Sequence, residues 1–340
     1  MSGEKKMKKL FIIALVLVAG QIFAQTKTAT TAANFLTIPV SPRASAMGGA
    51  FTAIANDASA LYWNPGGLAK LTKSEFSVAY SEWLVKTNYN WMALAYKMDD
   101  VSAIGFSINQ LNYGEEDVTN ELYPNGTGEK WNAQDIAIGL SYSRSLTDRF
   151  SIGGTVKYIR QQIWHESASA FALDIGLLFQ TELEGLKLGM NITNFGSEMK
   201  LDGKDLYQPI DIDRQFNSGN NENVPGSLNV ESWPLPLVFA FGCSYEAIHS
   251  SDMSLILDVD AVYPSNQSSY LNAGAEFGFM DVLFLRIGRN SIFKQSAEET
   301  MSYGAGFKYD FGPVSSKIDY CNTGYGRFGN LSKVSLTIGF

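Results

Sequence analysis

Apolar and polar residues alternate with a period of two from Glu75 to the end of the chain. In the last segment Val334, Leu336, Ile338 and Phe340 are apolar, and the residues between them are small or polar. The same alternation recurs over residues 168–181 and 267–280, with turn-forming residues between the segments. A period of two places alternate side chains on opposite faces of a strand. The pattern therefore predicts an all-β fold.

The composition of the two faces indicates which kind of all-β fold forms. The polar positions are mostly Gly, Ser, Ala and Asn, whereas a soluble sandwich would place many Lys and Glu there. An apolar outer face and a crowded polar interior are typical of a closed antiparallel transmembrane β-barrel. We predict fourteen strands, an even number as in bacterial outer-membrane barrels: 75–84, 88–98, 101–111, 131–146, 149–163, 168–181, 185–195, 233–247, 251–263, 267–280, 282–292, 299–310, 314–322 and 326–340.

The predicted connections differ between the two ends of the strands. Those after even-numbered strands are tight, as at Asp99-Asp100 and Gly312-Pro313, whereas residues 112–130 and 196–232 form long loops after odd-numbered strands. Short periplasmic turns and long extracellular loops are typical of outer-membrane barrels. A soluble sandwich with scattered core aromatics remains the alternative.

The N-terminus has the features of a secretory signal. Lys5, Lys6, Lys8 and Lys9 precede an apolar run from Leu10 to Gly20, which is too short to span a membrane. We predict a signal peptide over residues 1–24; an uncleaved anchor is the alternative, and translation could start at Met1 or Met7. Residues 1–24 carry four lysines and one glutamate, so removing them changes the net charge from −8 to −11. That acidity argues against a nucleic-acid partner.

Residues 25–74 differ from the rest because they are rich in Ala, Gly and Thr and show no strand alternation. The pairs Gly48-Gly49 and Asn64-Pro65 prevent one long helix. We predict that this segment is a plug inside the lumen and that residues 75–340 form the barrel.

Strand alternation also predicts which charges face the lumen. These are Asp135, Lys157, Asp174, Asp258, Asp260, Glu276, Arg286, Lys308, Lys317 and Asp319. Charges of both signs in a confined space are expected to pair with one another or with the plug. One hypothesis is that these carboxylates hold Arg43 as a latch that sets how readily the plug moves. The alternative is a static ion pair that anchors a closed plug.

The residues favour neither catalysis nor a metal site. His165 and His249 are the only histidines, and no carboxylate pair has a calcium-loop pattern. Cys243 and Cys321 face opposite sides of the wall by strand alternation, which predicts two separate thiols. We therefore expect no enzyme activity, no metal and no cofactor.

Three motifs in the N-terminal segment resemble a known family. They are F-L-T-I-P at residues 35–39, R-A-S-A-M-G-G-A at residues 43–50 and A-L-Y-W-N-P-G-G-L at residues 60–68. The second contains Arg43, Met47, Gly48 and Gly49, and the third contains Asn64, Pro65 and Gly66. The chain resembles the PorV/PorQ family of outer-membrane proteins, which is similar to the FadL-type barrels.

That resemblance implies a fourteen-stranded barrel with an N-terminal hatch in the outer membrane of a Gram-negative bacterium. It implies an accessory role in type IX protein secretion, with secreted or translocon proteins as partners beside outer-membrane lipid. The alternative is FadL-like transport of a hydrophobic small molecule such as a long-chain fatty acid, and a third possibility is a purely structural barrel. The usual FadL-type hatch has Asn-Pro-Ala where this chain has Asn64-Pro65-Gly66.

Overall fold

The computed structural model describes residues 30–210, 224–294 and 297–340 of the 340-residue chain. The predicted signal peptide, residues 1–24, lies outside the described residues. Fourteen long strands follow one another in chain order: β1 Glu75–Glu82, β2 Asn88–Lys97, β3 Ser102–Asp117, β4 Lys130–Ser145, β5 Phe150–Ile163, β6 Glu166–Gln180, β7 Leu186–Gly196, β8 Val238–His249, β9 Met253–Pro264, β10 Tyr270–Phe279, β11 Leu283–Ile292, β12 Met301–Phe311, β13 Val314–Gly324 and β14 Asn330–Gly339.

The strands form one closed antiparallel barrel. Each pairs with its neighbours in sequence, and β1 pairs with both β2 and β14. At the closure Val78 lies opposite Met92 on one side and Leu336 on the other. Closure leaves no unpaired sheet edge, which is what a lipid environment demands of a β-structure. The predicted fourteen-stranded barrel is confirmed, and the sandwich alternative is wrong.

The two faces of the wall separate as the alternation predicts. On β6, Phe171, Leu173 and Ile175 point outward and are exposed, whereas Asp174 points inward and is buried. Cys243 lies on the outer face of β8 and Cys321 is buried on the inner face of β13, and both are free thiols. A wall with lipid outside and packed polar groups inside is expected to be apolar on its outer face and polar on its inner face, which is the arrangement seen here.

The connections at the two rims differ in length. Those after even-numbered strands contain two to five residues. On the other rim residues 118–129 connect β3 to β4, and residues 197–237 connect β7 to β8, although β5 and β6 are joined by only Trp164 and His165. We call these the short-turn rim and the long-loop rim, and the first corresponds to the periplasmic side of outer-membrane barrels.

Two predicted boundaries on the long-loop rim are wrong. β3 runs to Asp117 rather than to residue 111, because it continues to pair with β4 beyond a bulge. β8 begins at Val238 rather than at Trp233, because Pro234 and Pro236 have no backbone N–H to donate to a neighbouring strand. Trp233 instead pairs with Met199 in a small separate sheet.

The long connection between β7 and β8 contains further short strands. Tyr207–Ile210 pairs with Val224–Ser227. Asp202–Gly203 adds to the end of β6 beside Glu166. These pieces build a small structured cover on the long-loop rim.

Residues 30–74, which we call the plug, lie inside the barrel. They contain the helices α1 (Pro42–Ala46) and α2 (Ala60–Trp63), with 3-10 turns at Asn34–Thr37 and Pro65–Lys70. The main buried apolar cluster joins plug side chains to inward-facing wall residues. The hydrophobic core of the protein therefore lies between the plug and the inner face of the wall. No helix in the described ranges is long and apolar enough to cross a membrane.

Candidate functional site

Arg43 of α1 joins the plug to the wall. Its Nε and Nη2 donate to the two carboxylate oxygens of Glu276 on β10, at 2.8 and 2.7 Å. Its Nη1 donates to Asn56 and Asp57 of the plug, at 2.8 Å each. The guanidinium also lies over the Phe51 ring, 5.1 Å from its centre. Bidentate charge-assisted pairs of this kind are the strongest side-chain hydrogen bonds in proteins.

The ion pairs continue along the wall beyond Glu276. Arg286 on β11 donates to Glu276 at 2.5 Å and to Asp319 on β13 at 2.7 Å. Lys317 lies 3.6 Å from Asp319. With Arg43 and Asp57 the group contains three cations and three anions, which we call the charge cluster. Balanced signs and many hydrogen bonds are what make buried charges tolerable.

Within the plug, the charge cluster changes the acidity of Asp57. Burial favours the neutral form, but the Arg43 guanidinium, the Lys317 ammonium and the Ser59 hydroxyl together outweigh burial, so the pKa of Asp57 is lowered. A carboxyl whose pKa falls on folding stabilises the folded state at neutral pH, and that contribution is lost as the pH falls through the folded-state pKa. The contact between Arg43 and Asp57 is therefore kept at neutral pH and weakens only in acid.

The segment Met47-Gly48-Gly49 lies against the next strands of the wall. Met47 is fully buried, and its backbone touches Gly274 and Gly288 so closely that a Cβ at either wall glycine would overlap it. Gly48 has a φ of +70°, and a Cβ at this position would lie 2.6 Å from the backbone nitrogen of Arg289. A side chain at Gly48 would meet both a strained backbone and a steric clash.

The turn Asn64-Pro65-Gly66 fixes the opposite side of the plug. The fully buried Asn64 accepts a hydrogen bond from Gly66 N through its Oδ1 and donates through Nδ2 to the Thr52 carbonyl of the plug and the Leu177 carbonyl of β6. Ser143 and Ser151 of the wall donate to the Gly66 carbonyl. The amide of Asn64 thus connects two parts of the plug to the wall.

Glycines in the wall allow this close fit around much of the barrel. On each of six strands an inward glycine has no room for a Cβ because backbone atoms of the plug lie against it: Gly153, Gly176, Gly189, Gly242, Gly274 and Gly288. The plug is therefore packed against bare backbone on β5 to β8 and on β10 and β11. Packing of this density leaves no solvent layer between plug and wall at those positions.

The remaining predicted lumen charges do not form one site. Lys157 pairs with Asp174 at 2.7 Å midway along β5 and β6, and Tyr113 donates to Asp135 at 2.8 Å. One oxygen of Asp260 accepts from the backbone of Phe51 and Thr52 in the plug. Asp258 is buried on β9 beside it. Lys308 pairs with Asp281 and Asp310 at the short-turn rim.

Three residues that hold the plug in place are absent from the site residues predicted from the sequence. Lys333 on β14 is buried and donates to the Pro39 carbonyl and to Ser45 of the plug. It faces inward by the same alternation that identified the other lumen charges, so that signal could have found it. Asn56 and Asp57 carry no pattern that indicates a contact with Arg43.

Two cavities flank the plug. One of about 500 Å³ opens at the short-turn rim and is lined by Arg43, Asp57 and Lys317 among others. The other, of about 150 Å³, lies toward the long-loop rim and is lined by Tyr62 and Trp63 of the plug together with wall residues. Among the described residues they share no lining side chain, so the plug separates them.

Residues 21–219, more than half of the chain, match the family described as "Type IX secretion system protein PorV". No curated protein sequence matches the chain.

Solved structures with a similar fold are described as hydrocarbon channels. The "CymD monoaromatic hydrocarbon channel" has 13% identity and a TM-score of 0.55, and the match covers 88% of this chain and 97% of that one. The Ralstonia pickettii toluene transporter TbuX has 13% identity and a TM-score of 0.53, with 87% and 96% covered. The Pseudomonas putida toluene transporter TodX has 11% identity and a TM-score of 0.54, with the same coverage. At such low identity the similarity concerns the fold.

Proposed function

Because the chain belongs to the PorV family, we propose that it is an accessory outer-membrane barrel of type IX protein secretion. In this proposal it engages cargo or translocon proteins through its outer wall and its long-loop rim. The lumen is not the route by which those proteins cross the membrane.

The observation that carries this proposal is the seating of the plug. Backbone contact on six strands and a buried, balanced charge cluster fill the middle of the lumen. Opening a path wide enough for a polypeptide would break the cluster, and removing one partner of a buried ion pair costs about 3–5 kcal/mol. Proteins must then be engaged at surfaces outside the plug.

The long-loop rim is the surface best suited to that contact. Residues 118–129 and the described parts of the second loop, 197–210 and 224–237, stand on a rigid barrel, and loops on rigid scaffolds usually carry recognition. Leu122 and Tyr123 at the tip of the first loop are exposed, with 83% and 59% of their surface accessible. Exposed apolar side chains on such a loop favour a protein partner.

The second candidate function is passage of a hydrophobic small molecule. The structural neighbours described as hydrocarbon and toluene channels support it. The 150 Å³ cavity next to the plug, with Tyr62, Trp63 and Tyr270 in its wall, could hold a small ring compound. This candidate needs a path past the plug for a molecule far smaller than a protein.

We also propose that the chain has no catalytic activity of its own. His165 pairs with Asp205 at the long-loop rim, and His249 pairs with Glu246 at the short-turn rim. Histidines at opposite ends of the barrel, each beside one carboxylate, do not support a shared catalytic centre.

The two candidate functions are separated by one preparation. The barrel is purified in mild detergent from its native membrane, and both co-purifying proteins and bound small molecules are identified by mass spectrometry. Recovery of secreted or translocon proteins is the expected result. A stoichiometric hydrophobic small molecule with no protein partner would contradict the proposed role in secretion and favour uptake.

A further inference from the structure

A groove of about 660 Å³ crosses the outer wall of the barrel. It extends over five adjacent strands, β13, β14, β1, β2 and β3, which include the closure of the barrel. It lies on the face that contacts lipid, and the barrel wall separates it from the plug. Trp91 and Ser335 line both the groove and the 500 Å³ lumen cavity on the other side of the wall.

Two rows of outward side chains border the groove. The first row is entirely apolar, and its members lie side by side in register: Ile318, Leu336, Val78, Met92 and Ile108. The second row lies two residues further along each strand: Val334, Tyr80, Asn90 and Gln110. Between them the lining includes Ala79, Trp91 and Ser335, which alternate with the outward residues on their strands.

The surface is concave there because of the residue at its centre. Val78 has a shorter side chain than its register neighbours Met92 and Leu336. Tyr80 stands beside it on the same strand, with 48% of its surface exposed against 36% for Val78. A short side chain among longer ones produces a trough in a wall that is otherwise convex.

The length of the groove matches one lipid tail. Four spacings between five strands, each about 4.8 Å, give about 19 Å. Half of a hydrocarbon core of about 30 Å is about 15 Å. Because barrel strands tilt by about 35–45° from the membrane normal, a groove that crosses them runs obliquely, and about 19 Å along it rises about 11–13 Å through the bilayer. A single extended acyl chain that lies obliquely within one leaflet therefore has the length to fill it.

One end of the groove carries polar groups. Asn90 and Gln110 face each other across β2 and β3, point outward and are half-buried. The Tyr80 hydroxyl donates to Asn88 nearby at 2.8 Å. Unpaired amides are costly in hydrocarbon, so this end belongs at the level of lipid headgroups. Both amides belong to the second row, which is the row nearer the long-loop rim because its Tyr80 lies two residues from Glu82 at the end of β1, and that rim faces the outer leaflet.

We propose that this groove is a specific lipid site. It holds one acyl chain of an outer-leaflet lipid along the apolar row, and Asn90 and Gln110 hydrogen-bond the headgroup. The occupant is assigned from continuity with the lipid-facing wall, from the length of the groove and from the polar groups at one end. The site depends on the position of the barrel in the membrane and not on a role in secretion.

The test blocks the groove with a bulky side chain and measures bound lipid. Val78→Trp places a large ring in the trough, and Val259→Trp is the matched control, because Val259 is an outward valine on β9 with 48% of its surface exposed. Each protein is purified from its own outer membrane in mild detergent and analysed intact by native mass spectrometry. We expect one retained lipid per barrel in the wild type and in Val259→Trp, and at least a tenfold lower occupancy in Val78→Trp. A heat-modifiable gel shift checks that all three are folded.

A second variant tests the headgroup contact. Replacing both Asn90 and Gln110 by Leu keeps the trough apolar, so we expect a lower occupancy or a changed lipid class. The mass of the bound lipid distinguishes lipopolysaccharide from phospholipid. An unchanged lipid in this double variant would overturn the headgroup assignment.

Three further outcomes would overturn the whole proposal. The first is a folded wild-type barrel that retains no lipid, and the second is a Val78→Trp barrel that retains as much lipid as the wild type. The third is loss of a co-purifying protein in Val78→Trp with no lipid bound to the wild type, which would make the groove a protein contact.

Discussion

At the scale of single residues, Arg43 shows how a buried charge is accommodated. Its side chain is 8% exposed, yet three of its nitrogens donate to four acceptor atoms. Two of the acceptor groups belong to the plug, and the third, Glu276, belongs to the wall 233 positions away. One side chain thus links the internal fold of the plug to its position against the barrel wall.

Arg43→Ala should destabilise the protein strongly. It removes the cation between Asp57 and Glu276, leaving the half-buried Asp57 without its partner and the buried Glu276 with Arg286 alone, so we expect a loss of about 3–5 kcal/mol. Urea unfolding in detergent micelles measures the change. Arg327→Ala is the control, because Arg327 pairs with Glu298 on the surface and such pairs contribute about 0–1 kcal/mol.

The same variant tests the latch hypothesis in planar bilayers. If Arg43 holds the plug shut, Arg43→Ala gives current steps that the wild type and Arg327→Ala lack. A destabilised variant without current indicates a static anchor. Unchanged stability together with unchanged conductance would mean that Arg43 serves neither purpose.

Neighbouring glycines on β5 offer a second test at this scale. A Cβ at Gly153 would overlap the Pro65 carbonyl of the plug, whereas at Gly154 the nearest atom would be an Asp174 carbonyl oxygen at 3.5 Å. Gly153→Ala should therefore cost about 1–3 kcal/mol by overpacking, and Gly154→Ala should be tolerated.

Limited proteolysis of the plug, read by mass spectrometry, reports whether it remains seated in the two alanine variants. We expect faster cleavage within residues 30–74 in Gly153→Ala alone. Equal cleavage rates in both variants would show that the plug does not depend on this contact.

At the scale of elements, strand pairing extends beyond the predicted boundaries. β3 and β4 pair as far as Asp117 and Lys130, so the connection beyond them is only residues 118–129. Because β3 and β4 are paired along their whole length, the hairpin does not depend on the loop beyond them for its register. The loop is therefore free to serve recognition.

Replacing residues 118–129 by Asn-Gly should leave the barrel intact and reduce the recovery of protein partners. The expected reason is that Leu122 and Tyr123 are lost while the β3–β4 ladder is kept. Heat-modifiable migration measures the barrel, and quantitative co-purification measures partner binding. As a control, Glu182→Ala changes an exposed pair with Arg149 on the opposite rim and should leave partner recovery unchanged. Undiminished recovery in the loop variant would place the contact elsewhere.

At the scale of the whole molecule, the wall and the plug depend on each other. The buried apolar cluster exists only where plug side chains meet the inner wall. The charge cluster balances only when both are in place. The barrel is thus a filled shell whose free surfaces are the outer wall and the two rims, and the proposed contacts with lipid and protein lie on those surfaces.

How much the sequence predicts differs between the wall and the site. Alternation predicted that Lys157 and Asp174 face the same lumen, and they pair there. The pairing of Arg43 with Glu276 rather than with another lumen carboxylate could not be predicted, because it depends on how α1 lies across β10. The start of β8 was misplaced because the apolar run from Trp233 hid the effect of Pro234 and Pro236.

The sequence by itself determined that the chain is a closed barrel with an apolar outside, since the side-chain period of a strand is two and each face must match its surroundings. Its motifs also determined the family. The tertiary structure alone decided which lumen charges meet, which wall glycines touch the plug and where Val78 opens a groove among its neighbours. These features depend on contacts between positions far apart in the chain. A local pattern of hydrophobicity carries no information about strand register around the barrel or about the position of the plug inside it.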